Sequence, residues 1–162
     1  MLSGESANGD WPVESVQTMA RIATETEEQL KYETAVSKAK SHTPATSGVI
    51  SRAACNAANE LKAAAIVSST KSGATARRIS QCRPECPIVA VTPSEKVAKS
   101  LAFCFGVYPV VAEDQNSTDA MMANATKIAV ENGFANSGDT VVIAAGLDQV
   151  GSTNLLKVSI VE

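Results

Sequence analysis

From Pro12 onward, apolar residues recur at three- and four-residue steps (Val13, Val16, Ala20, Ala23), while Glu14, Gln17, Arg21 and Glu25 fall on other faces. This spacing predicts an amphipathic helix that starts at Pro12, where a first turn tolerates proline, and runs to about Lys40. Its stripe weakens in TETEEQ, and His42-Thr43-Pro44 ends it, so residues 41–46 read as a boundary. Before it, Met1 to Glu5 reads as the exit of a strand and Ala7 to Asp10 as a turn. Beyond the boundary a second helix is predicted from Ser47 to Lys62, capped by Thr46 or Ser47, with Ile50, Ala54, Ala57, Ala58 and Leu61 inward. Four short continuous apolar runs follow, AAAIVSS, PIVAVT, VYPVVAE and TVVIAAG. Between them lie the helical stretches ATARRISQC, SEKVAKSLAFCF with Ser94 as cap, and Thr118 to Asn132. The closing LLKVSIVE alternates with the period of a strand.

Continuous apolar strands separated by helices indicate a parallel sheet covered on both faces. The last strand follows a short loop instead of a helix, so it is expected antiparallel at an edge. The fold class is therefore α/β, a three-layer sandwich around a five-stranded, mostly parallel sheet. Such sheets bind ligands beyond the carboxyl ends of their strands.

Composition narrows the function classes. The 162 residues are 44% hydrophobic and 19% charged with a formal charge of −3, which supplies no basic stripe for nucleic acid. No apolar run approaches the ~20 residues of a membrane-spanning helix, and the N-terminal residues do not read as a signal peptide. Cys55, Cys82, Cys86 and Cys104 have no zinc-site spacing and read as free, mostly buried thiols of a reducing cytoplasm.

Thr70-Lys71-Ser72-Gly73-Ala74-Thr75 lies between a strand and a helix, where glycine lets the backbone turn and successive N–H groups converge at the positive end of the helix dipole. Two readings stay open, a phosphate cradle or a capped helix with a Ser/Thr-rich turn. It is not a Walker P-loop, whose spacing is absent. Gly146 to Asn154 leaves another strand on the same side of the sheet, so the two loops could share a ligand. No catalytic set emerges. His42 reads as solvated, and Asp114, Asp119, Asp139 and Asp148 as caps or turn residues.

The stretch MLSGESANGDWPVESVQTM closely resembles the MLSGETAxGxxPxEAVxxM segment that leads from the last barrel strand into the last barrel helix of pyruvate kinases. TKSGATARRISQCRPECPIVAVTP is similar to the family's TxSGxT, YRP and PIxAVT run, with Cys82 where tyrosine is usual. LAFCFGVYPVV, GDTVVIAAG and GSTNLLKV extend the resemblance over nearly the whole chain, most strongly to bacterial members. It implies that residues 1–41 are the end of a catalytic (β/α)8 barrel, its last strand end and one long helix. Residues 42–162 would then be the C-terminal allosteric and oligomerisation domain.

The family transfers the phosphoryl group of phosphoenolpyruvate to ADP in cytoplasmic glycolysis, using Mg2+ or Mn2+ and K+. The resemblance implies no cofactor or metal site in this stretch. Of the catalytic neighbourhood only peripheral remnants such as Ser3 and Glu5 are expected, without turnover by this chain alone. It further implies that Thr70, Lys71, Ser72, Gly73 and Thr75 hold an effector phosphate, with Gly151, Ser152 and Thr153 closing over it. Ala74 stands where many relatives carry arginine or lysine, which leaves Lys71 as the local charge. A monophosphate such as ribose 5-phosphate, glucose 6-phosphate or AMP is thereby favoured over fructose 1,6-bisphosphate. The implied partners are this effector, the rest of a pyruvate kinase, and further copies, as a dimer through the last strand and a tetramer of the whole enzyme. The rival reading is a stand-alone, non-enzymatic phosphometabolite-binding or interaction module of the same fold.

Overall fold

The computed structural model describes residues 2–29, 45–115, 117–146 and 152–162. The chain forms two compact units, Met1–Lys31 and Tyr32–Glu162.

The first unit contains α1 (Gly4–Ala7) and α2 (Pro12–Glu28). Where the sequence suggests a strand exit up to Glu5, the chain makes a helical turn from Gly4. The cause is local: the Glu5 carboxylate folds back and accepts from the Ser3 N–H at 3.0 Å and from its hydroxyl at 3.2 Å, so the turn's N-terminus is satisfied by its own side chain. Proline opens α2 as expected. None of the side chains of α2 is buried, and Val13, Val16 and Ile22 of its apolar stripe are exposed. The predicted continuation of this helix to Lys40, and His42, lie outside the described residues.

The second unit runs α3 (Thr46–Glu60), β1 (Ala65–Ser69), α4 (Ala74–Gln81), β2 (Ile88–Thr92), α5 (Glu95–Leu101), β3 (Val107–Val111), α6 (Thr118–Glu131), β4 (Thr140–Ala145) and β5 (Leu155–Ile160). The strands form one sheet in the order β3-β2-β1-β4-β5. All neighbours are parallel except β4 and β5, which pair antiparallel with Thr140 opposite Ile160. The fold is thus the expected α/β sandwich with an antiparallel last strand at the edge.

Because β1, β2 and β4 are buried on both faces, their side chains alternate between two cores. Ile66, Ile88, Val142 and Ala144 pack with Cys55, Ala58, Ile79 and Leu101 under α3, α4 and α5. Val67, Val89, Val141 and Ile143 pack with Met122, Ala125 and Ile128 of α6 on the other side. Small residues on the helices let them lie close to the sheet, which accounts for the alanine-rich composition.

Three local expectations need correction. α3 starts at Thr46 with Ala45 in the cap position and no side-chain cap; Ser47 is buried, and its carbonyl accepts from the Ser51 hydroxyl at 2.7 Å. α5 stops at Leu101 instead of continuing to Phe105, because the Cys104 N–H turns back to the Leu101 carbonyl and Gly106 takes φ +67° to enter β3. Asp114 is no cap, as it pairs with Lys71. Ser94 does cap α5 by accepting from the Val97 N–H, and Ser117 likewise caps α6 by accepting from the Ala120 N–H.

The two sheet edges differ. The Ala112 N–H donates to the Thr92 carbonyl, so by alternation the backbone groups of residues 107, 109 and 111 point away from β2, and Pro109 removes the central outward donor. On β5 the Val161 N–H donates to the Asp139 carbonyl, so Leu156, Val158 and Ile160 present their backbone outward with every donor intact.

Candidate functional site

Ser69 is the register partner of both Val91 and Ala145, so β1, β2 and β4 end at one level and the turns that leave them meet at the same edge of the sheet. The Thr70 N–H is still bonded to the Val91 carbonyl at 2.9 Å, which fixes where the turn begins. Thr70 Oγ1 then accepts from the Gly73 N–H at 3.0 Å. Gly73 sits at φ +81°, ψ 0° in the cap position of α4, a conformation that costs any other residue strain. The first closed turn of α4 is the Arg77 N–H to the Gly73 carbonyl at 3.0 Å. The N–H groups of Ala74, Thr75 and Ala76 therefore have no acceptor within the helix and sit at its positive end.

The second loop comes from β4. Gly146 is closed on itself by the returning chain: a Cβ there would lie 2.6 Å from the Ser152 carbonyl oxygen. Asn154 then rejoins the sheet through its N–H to the Ala145 carbonyl at 3.1 Å. This crossing brings Thr153 over α4, where its hydroxyl shares a hydrogen bond of 2.6 Å with that of Thr75. Both side chains are buried, Thr153 to 1% exposure and Thr75 to 5%.

Of the sequence-predicted residues, Thr70, Gly73, Thr75 and Thr153 thus converge. Ser72 is exposed on the rim and Ser152 half-buried, and Gly151 lies outside the described residues. Lys71 points to Asp114 in the loop after β3, an ion pair whose two side chains are 76% and 56% exposed; such a pair contributes little to stability, but it occupies the cation on which the sequence reading relied. Asp139 accepts from the Asn136 N–H at 2.8 Å and is a turn residue, as expected. Asp119 sits in the first turn of α6, and Asp148 lies outside the described residues. Ser3 and Glu5 stand together in the first unit, where the N–H groups of Glu5 and Ser3 and the Ser3 hydroxyl hold the Glu5 carboxyl below its ordinary range. The arrangement at the carboxyl edge can donate hydrogen bonds to a small anion. Among the described residues no cluster suited to a metal ion occurs.

One participant escaped sequence reading. The Arg77 guanidinium reaches back to the Ser72 carbonyl at 2.9 Å and across to the Ser100 hydroxyl of α5 at 2.8 Å. Its only sequence signal is a basic residue one helical turn after the cap glycine.

The four cysteines are free. The Cys55 thiol donates to the Ile79 carbonyl at 3.8 Å and the Cys82 thiol to the Arg78 carbonyl at 3.6 Å; the interaction between the two thiols raises Cys55 and lowers Cys82. Burial pushes the Cys86 thiol up to about 11.

An α/β domain whose strand-to-helix turn and returning loop meet at the carboxyl edge of the sheet is the class that this geometry defines. The family described as "Pyruvate kinase, alpha/beta domain" matches residues 48–159. Among curated relatives, the pyruvate kinase of Clostridium acetobutylicum is 47% identical over 165 aligned residues, covering 100% of this chain and 35% of the relative. That of Sporosarcina psychrophila is 41% identical, covering 99% of this chain and 28% of the relative. A crystal structure of a pyruvate kinase from Cryptosporidium parvum superimposes with a TM-score of 0.88 at 30% identity, covering 100% of this chain and 32% of that one. The chain belongs to the pyruvate kinase C-terminal α/β domain family, and it spans about a third of the length of the curated relatives it matches.

Proposed function

We propose that residues 42–162 are the regulatory domain of a glycolytic, cytoplasmic pyruvate kinase, converting phosphoenolpyruvate and ADP to pyruvate and ATP, and that residues 1–41 are the end of its catalytic barrel. Two observations support a division near there: residues 1–31 form a compact unit by themselves, and α2 carries an exposed apolar stripe of the kind a barrel helix turns inward. The phosphoryl-transfer chemistry, with its Mg2+ or Mn2+ and K+, is assigned to the part of such proteins outside this chain, because it depends on cations positioned around the transferring group. This chain contributes effector binding and subunit contacts.

The effector is a phosphorylated small molecule, its phosphate seated on the N–H groups at the start of α4 and on the hydroxyls of Thr70, Ser72, Thr75 and Thr153, with Ser152 and Gly151 in the covering loop. The observation that carries this reading is the 2.6 Å bond between Thr75 and Thr153, which joins the two loops over one helix N-terminus. With Ala74 uncharged and Lys71, an exposed side chain beside Asp114, the one cation of the turn, the site is poor in charge, which favours a sugar monophosphate or AMP over a bisphosphate. Copies associate through β5, giving a dimer of this domain and a tetramer of the whole enzyme.

Calorimetry of the chain with ribose 5-phosphate, glucose 6-phosphate and AMP tests the effector reading. Binding of at least one is expected, and Ser72→Glu, which sets a carboxylate on the exposed rim, is expected to abolish it with unchanged thermal unfolding. Unaltered affinity in this variant rules the turn out.

A further inference from the structure

The Ser72–Gly73 peptide is held at both of its polar ends. Its N–H donates to Thr70 Oγ1 at 3.0 Å, and its carbonyl accepts from Arg77 Nη1 at 2.9 Å. The two holders come from opposite directions, Thr70 from the strand end and Arg77 from one turn inside α4. Arg77 is itself tied down: Nη2 donates to Ser100 Oγ at 2.8 Å, and that hydroxyl donates to the Val97 carbonyl at 2.7 Å. The same α5 surface backs the turn directly, since a Cβ on Gly73 would lie 3.2 Å from both Val97 and Leu101 and 2.9 Å from Arg77 Nη1.

Thr75 and Arg77 are two residues apart on a helix, about 200° around its axis. Thr75 faces Thr153 and the second loop, whereas Arg77 faces α5. Arg77 thus stands behind the turn and works on its shape. A peptide next to a glycine in the left-handed region is the one most free to flip, since glycine tolerates both hands of the turn. Flipping would break both bonds and turn the Ser72 carbonyl toward Thr70 Oγ1, so that this hydroxyl, assigned above to the ligand, would be drawn into donating to the backbone instead.

We propose that Arg77 is a positioning residue that locks the Ser72–Gly73 peptide in the anion-accepting orientation and couples it, through Ser100, to α5. The part of this proposal that concerns ligand affinity rests on the effector reading above; the lock itself does not.

The test is amide hydrogen exchange of the 15N-labelled chain, with inorganic phosphate and ribose 5-phosphate titrated by calorimetry. Arg77→Met is expected to accelerate exchange of the Gly73 amide about tenfold, the equivalent of one lost charge-assisted hydrogen bond, while the Ala144 amide of β4 keeps its rate. Phosphate affinity falls by a similar factor. Arg77→Lys, which can still reach the Ser72 carbonyl but cannot fork to Ser100, restores part of both. Ser100→Ala removes the α5 branch alone and gives a smaller change in the same direction; it also serves if Arg77→Met does not fold. Accelerated Gly73 exchange in a chain that binds no phosphate sinks the effector reading and leaves the lock standing. Gly73 exchange unchanged in Arg77→Met, or in Ser100→Ala where that variant must stand in, overturns the lock.

Discussion

Thr75 and Thr153 are 78 positions apart in sequence, and each buries its hydroxyl against the other. A lone Thr75→Val or Thr153→Val leaves one buried oxygen without the partner it has here, at a cost of about 1–3 kcal/mol. Replacing both leaves no orphan, so the double variant is expected to lose less stability than the sum of the singles, as urea unfolding of the four proteins will measure. Sequence reading singled out both threonines but could not see that they bond each other, because nothing local encodes a contact between the ends of two strands. A charged substitution at Thr75 is therefore a poor probe of binding, since it buries a carboxylate; the exposed Ser72 is the better place. Arg77 went unread for a similar reason: its role depends on Ser100, which tertiary packing brings to it.

At the scale of elements the sequence is more explicit. Strands β1, β2 and β4 are continuous apolar runs because both their faces are buried, and that signal is visible residue by residue. The antiparallel β5 followed from its alternating pattern and the short loop before it. Helix ends were less legible. The reading of α5 ran on through Ala102 and Phe103, whose apolar character suits a helix interior, yet Phe103 is 94% exposed in the turn that follows. Cap chemistry at α3 was misjudged because Ser47 is drawn into the core instead of being left to cap.

The outward backbone of β5 makes an element-level prediction for the association proposed above. Val158→Pro removes a donor that faces away from β4, so the ladder within the chain is untouched. Sedimentation is expected to show a dimer for the parent and a monomer for the variant, with nearly equal thermal midpoints. A variant that still dimerises places the contact elsewhere.

For the molecule as a whole, stability carries a signature of the thiol cluster. Cys86 has its pKa raised from 9.0 to about 11, chiefly by burial, so the folded chain keeps a proton there that the unfolded chain releases. More protons bound in the native state mean that stability falls as pH rises through that window. Cys55, also raised, acts in the same direction, while Cys82, lowered mainly by its interaction with Cys55, opposes it below pH 9.0. Cys86→Ala is expected to fall less steeply with pH than the parent between about pH 9 and 11 when unfolding free energies are compared across it; parallel curves would mean that Cys86 ionises freely in the folded state. None of this was legible in the spacing of the cysteines, which says nothing about which of them share a core.

Pro109 gives the sheet a valence of one. In the association proposed above, two copies meeting edge to edge through β5 would consume each other's capacity, and a ten-stranded sheet with a proline on each outer strand would be where growth stops. A sheet with both rims open could go on adding copies into a ribbon. Under that association, the residue that looks least suited to a strand is the one that limits how many chains can share it.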